Sequence, residues 1–81
     1  MYNNMKNRET WTMNLYMQNQ EGYYGYYKVL STIVKEKALA ELLRADWYSL
    51  IPEDLPHVLR KLLANALEDI DWNEVAASFY E

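Results

Sequence analysis

The chain has 81 residues, a formal net charge of −4, 51% hydrophobic and 25% charged residues, and no cysteine. A chain this short forms one domain with one modest core that buries about 60% of its unfolded surface. Its balance of residue types is that of a globular protein rather than a disordered one, and the missing cysteines exclude disulfides, a thiolate nucleophile and cysteine-ligated zinc.

Two glycines, two prolines, no Asn-Gly or Asp-Gly pair and no clean period-two alternation leave helices as the consistent reading. The expected fold is all-α, a compact bundle of about five short helices in a single domain over 1–81. The first helix, about 8–18, is "NRETWTMNLYMQ", with Asn7 as N-cap and Asn19 capping the next. On the second, about 20–35, Tyr23, Tyr27, Leu30 and Val34 fall on one line and are expected in the core, with Tyr26, Val29 and Ile33 on the flank. Tyr24 points instead with Lys28, Ser31 and Lys35, towards water. The apolar arc of this helix, about 160° wide, exceeds what one neighbour covers, and a homodimer contact through Tyr26 is the corresponding expectation.

Leu39, Leu42 and Leu43 lie on the opposite face if the second helix continues, so a break near 35–37 and a third helix at about 37–46 are predicted. The fourth, about 54–69, carries Leu55, Val58, Leu59, Leu62, Leu63, Ala66, Leu67 and Ile70 in an unbroken i, i+3, i+4, i+7 pattern. Half its circumference is apolar, which predicts a central helix with Leu59, Leu62, Leu63 and Leu67 at the centre of the fold, started by Asp54 as N-cap ahead of Pro56. "DWNE" is a capping-box signature that opens the last helix, about 72–80, with Asp71 accepting and Glu74 reaching back. Its stripe is Trp72, Val75, Ala76 and Phe79.

No catalytic, cofactor or metal constellation appears. His57 is the sole histidine and lies opposite the leucine stripe; a metal needs three or four converging ligands, and Asp71 and Glu74 are already used in capping. No phosphate loop, nucleophile elbow or base-paired serine is present, so no enzyme and no cofactor are expected. The start, MYNNMKNRETW, lacks the apolar run of a signal peptide and no stretch approaches ~18 apolar residues; a cytoplasmic, non-membrane protein is expected.

Charge is unevenly spread. Residues 1–40 hold five Lys/Arg against three Asp/Glu, residues 41–81 three against nine, and Glu68, Asp69, Asp71, Glu74 and Glu81 follow Leu62 without any base. Such an end repels nucleic acid and favours a basic partner protein, or simply solvates the chain. Tyrosine is enriched at binding hot spots. The candidate partner-binding residues are therefore Tyr24, Tyr26, Glu68, Asp69, Asp71 and Glu74.

"NRETW", followed by "NLYMQNQEGYY" and closed by "IDWNEVA", resembles a family of small uncharacterised proteins of phages, mobile elements and bacteria carrying them, with an Asn-x-Glu-Thr-Trp opening and a Trp-x-Glu-Ile/Val-Ala ending. The match rests on Asn7, Glu9, Thr10 and Trp11, on Asn19, Glu21, Gly22 and Tyr24, and on Trp72, Glu74 and Ala76. The resemblance implies that Trp11, Tyr16 and Tyr23 form the packing centre of the first two helices, with Glu9 holding a neighbouring helix end. It also implies an inhibitor of a host defence complex, such as a CRISPR effector or a restriction enzyme, that works by binding a basic surface. A helical DNA-binding regulator and a self-associating assembly module are the alternatives. Lys28, Lys35 and Lys37 are few for a phosphate stripe, so direct nucleic-acid binding is not expected.

Overall fold

The computed structural model describes residues 5–80. Local chemistry starts and stops each helix. Helix α1 (Arg8–Asn19) begins where Asn7 Oδ1 accepts the Thr10 amide at 2.8 Å, the expected cap. Gln20, in extended conformation, separates it from α2 (Glu21–Leu30) and takes the N-cap position with no side-chain bond, so Asn19 ends α1 instead of capping α2. α2 stops five residues earlier than its periodicity suggests. Ser31 Oγ and Thr32 Oγ1 donate back to the carbonyls of Lys28 and Val29, and three β-branched residues, Thr32, Ile33 and Val34, follow where χ1 freedom is lost in a helix.

Helix α3 (Glu36–Ser49) resumes after the turn, and α4 (His57–Glu68) follows a loop holding Pro52 and Pro56. Pro56 itself occupies the α4 N-cap, with no side-chain cap; it holds Leu55 away from helical geometry, so Asp54 lies in the loop and is not the cap. Asp71 caps α5 (Trp72–Ala77) by accepting the amides of Asn73 and Glu74, and a 3₁₀ turn, Ser78–Tyr80, closes the fold. Five helices and no β-strand make up the described residues, an all-α bundle.

The core sits where α3 and α5 pack, their contact being the most extensive of any pair. Leu39, Leu43, Val75, Ala76 and Phe79 are fully or almost fully buried there with Met17 of α1 and Tyr27 of α2, and Tyr23, Leu30 and Val34 pack on its edge. The stripe expected on the last helix is buried as a whole, and so is Tyr27 of the α2 line. Burial raises the Tyr27 hydroxyl well above its usual range, helped by its hydrogen bond to Asp46 Oδ2 at 2.7 Å.

The expectation for α4 is overturned. None of its residues is buried, and Val58, Leu59, Leu62 and Leu63 are 63%, 45%, 59% and 44% exposed. Only Leu67 and the following Ile70 reach the core. The breadth of its apolar arc reports what α4 is able to bury; the proline loop that delivers it fixes what it does bury. α4 stands on the core by its C-terminal end, as a ridge.

Candidate functional site

Two polar lacings hold the C-terminal end of this ridge. At the first, the amide of Lys6 donates to Glu74 Oε1 at 2.8 Å, Asn7 Nδ2 to the Asp69 carbonyl at 2.6 Å, and the Asp71 amide to Thr10 Oγ1 at 2.8 Å. Thr10 is fully buried. The expected capping box is thus rerouted: Asp71 accepts as predicted, while Glu74 reaches to Lys6 and the Asp71 amide finds Thr10. The opening "NRET" and closing "DWNE" motifs meet here.

The second lacing ties α4 to α3. Arg44 Nη2 donates to Glu68 Oε1 at 2.9 Å, and the Tyr48 hydroxyl donates to the same oxygen at 2.7 Å with the Ala64 carbonyl 3.2 Å away. The Arg44 guanidinium lies 4.7 Å from the Tyr48 ring centroid. The hydrogen bonds from Tyr48 and Arg44 hold the Glu68 carboxyl below its usual range, and burial, with Glu68 beside it, pushes the Tyr48 hydroxyl up.

Of the candidate binding residues, Asp71 and Glu74 are therefore committed to helix ends and Glu68 to α3, while Asp69 keeps an exposed position. Glu81 lies outside the described residues. Tyr24, expected in water, is half-buried with its ring 5.7 Å from Phe79, because the C-terminal turn, 55 residues away in sequence, folds over it; Lys28 donates to the Phe79 carbonyl beside it at 2.8 Å. Tyr26 is 58% exposed, with Val29 and Ile33, as its flank position predicts. Of the six, Glu68 and Asp71 line one hollow, with Lys6, Lys37 and Arg44, and neither Tyr24 nor Tyr26 lines it.

A different site comes together. Tyr16, Tyr23 and Trp47 pack against one another, tilted or edge to face, with ring centroids 5.4–6.1 Å apart, and with Met13 and Leu67 line a groove of about 620 Å³ whose charged walls are Arg8 and Glu9. Tyr16 and Tyr23 thus meet between α1 and α2 as expected, and Trp47 joins this aromatic centre to α3. Trp47 also lines an adjoining apolar hollow with Leu50, Ile51 and Leu63, which carries the groove to the exposed face of α4. The Trp47 indole N–H is buried without an acceptor among the described residues, an unmet donor of a kind that costs about 1–3 kcal/mol.

Sequence reasoning missed Trp47 and Met13 because they join α1 and α3 across more than thirty residues; the one available signal was a tryptophan at the end of a leucine-bearing helix. Among the described residues no group of three or more His, Asp or Glu side chains is placed to hold a metal ion, and no helix is long and apolar enough to cross a membrane. No family model, curated protein or solved structure matches the chain.

Proposed function

We propose that this chain is a non-enzymatic protein-binding module that inhibits a host protein by seating one of its apolar side chains in the Met13–Tyr16–Trp47 groove. The observation that carries this reading is the continuity of the groove with the α4 ridge. A small ligand needs a bounded cavity with a few polar anchors; an apolar floor running out onto half-exposed leucines is an extended surface, of the size and composition that marks protein contacts. Tyr16, 45% exposed on the groove wall, has the character of a hot-spot anchor.

The acidic C-terminal half steers the module towards a basic surface. A nucleic-acid-handling protein of the host fits that charge, and the likeness of the opening and closing motifs to small phage proteins supports a defence nuclease, of restriction or CRISPR type, as the instance. The DNA-regulator reading loses support because Lys28 is drawn onto the Phe79 carbonyl and Arg44 onto Glu68.

Capture from a host lysate by the intact chain, compared with Tyr16→Ala and Leu63→Glu, tests the proposal. A partner retained by the intact chain and lost, by about tenfold or more in affinity, from both variants is expected. Undiminished capture by both, or direct DNA binding with a steep salt dependence, overturns it.

A further inference from the structure

Residues 41–81 hold nine acids and three bases. One of the three, Arg44, is paired with Glu68. The other two, Arg60 and Lys61, line one hollow of about 320 Å³ together with His57, and its remaining walls are Tyr48, Ile51 and Ala64. Among the described residues no acid lines this hollow, and none of the three basic side chains has a hydrogen bond or ion pair.

The helix itself gives them no relief. An acid three or four residues away would neutralise a base on the same helix, and neither Arg60 nor Lys61 has one at those spacings. His57 stands three residues before Arg60 and four before Lys61, and because Cβ bonds tilt towards the N-terminus the two long side chains lean back to flank it. Positive charge also sits badly in the first turns of a helix. The arrangement therefore costs stability that no contact among the described residues offsets, and an anion seated in the hollow would offset it.

We propose that this hollow binds a small phosphate monoester. Arg60 offers a planar fork of N–H donors that matches two phosphate oxygens, Lys61 a compact charge and His57 a ring N–H. The organic group of the ester lies along Ile51, Ala64 and the Tyr48 ring. The Tyr48 hydroxyl already donates to Glu68 and the Arg44 guanidinium lies over its ring, so Tyr48 serves as a wall and not as a donor. Size agrees, since the volume is at the lower end of the roughly 300–1,000 Å³ of small-molecule sites. Exposed acids precede and follow the bases, Glu53 and Asp54 on one side and Glu68 and Asp69 on the other. They repel the flanking phosphates of a nucleic-acid strand and favour a compact anion. The hollow shares no residue with the Met13–Tyr16–Trp47 groove, so the inference does not rest on the proposed function.

Titration of the full chain, followed by NMR through its amide chemical shifts at constant ionic strength, tests this with adenosine monophosphate, adenosine and inorganic phosphate as probes. Adenosine monophosphate should shift Tyr48, His57, Arg60 and Lys61 saturably, with a dissociation constant on the order of 1 mM or below, and bind more tightly than adenosine or phosphate. Arg60→Gln and Lys61→Gln, at exposed positions outside the core, should each weaken it about fivefold, while Lys35→Gln should leave it unchanged. Absence of a saturable shift at millimolar concentrations, adenosine or phosphate binding as tightly as the ester, or indifference to both α4 variants overturns the inference. So does tighter binding of a single-stranded oligonucleotide that lacks a terminal phosphate.

Discussion

Leu43 and Leu63 look equivalent in sequence, each inside a leucine-rich helical stripe, and the structure separates them. Leu43 is fully buried between α3 and α5, whereas Leu63 is 44% exposed on α4. Leu43→Ala removes buried methyl groups and leaves a closed cavity, so about 2–5 kcal/mol is expected. That is a large part of the roughly 4–12 kcal/mol available to a domain of this length. Leu63→Ala forfeits only about half of a leucine's transfer free energy and opens no closed cavity, since its site is continuous with water: roughly 1 kcal/mol. Urea unfolding of the two variants at a concentration where the chain is monomeric reads the difference directly, with a slope on the order of 1 kcal/mol/M for so small a protein. The Leu43→Ala midpoint should fall by 2 M or more and the Leu63→Ala midpoint by about 1 M or less. Equal losses would mean that α4 is packed as deeply as α3, and the reasoning from burial would be wrong.

Three further outcomes follow from particular contacts. Thr10→Val keeps the shape of a fully buried side chain but strips the acceptor from the Asp71 amide; a loss of about 1–3 kcal/mol in urea unfolding is expected. Glu68 has a carboxyl held below its unfolded value by Tyr48 and Arg44, so the tie between α3 and α4 is intact above the usual glutamate range of about 4.3 and is lost as pH falls through the lower folded value. The hydrogen-exchange protection of α4, taken relative to the intrinsic rate at each pH, should fall over that acid window in the native chain, and Glu68→Gln should show no such transition. Gly22 and Gly25 lie inside α2 with open space where a Cβ would stand; Gly25→Ala should raise stability by about 0.5–1 kcal/mol, measured as a higher thermal midpoint.

The helices were legible because their signals are local. Asn7 and Asp71 cap where they were expected to, and the Trp72, Val75, Ala76 and Phe79 stripe is buried as its spacing requires. The failures are of another kind. The leucines of α4 have the strongest periodicity in the chain, yet periodicity specifies a face and not a neighbour; two prolines between α3 and α4 set a direction that leaves that face in water. Tyr24 lost its exposure to a turn 55 residues away, and Asp71 found Thr10 across 61. The groove joins α1, α3 and the end of α4 through Met13, Trp47 and Leu67, residues that share no local pattern. What was read correctly depended on residues within one helical turn of each other, and what was missed depended on tertiary direction.

The openness of the α4 face underlies the docking groove, and it can be measured alone. The chain has no cysteine, so a single thiol introduced at Leu62, at Val58 or at Leu43 is the sole target of a thiol reagent. At a concentration where sedimentation gives a monomer, Leu62→Cys and Val58→Cys should label within a few-fold of the rate of an unfolded chain. Leu43→Cys should label only through unfolding, slower by a factor on the order of 10³ or more. A Leu62→Cys thiol as protected as the one at Leu43 would contradict the account.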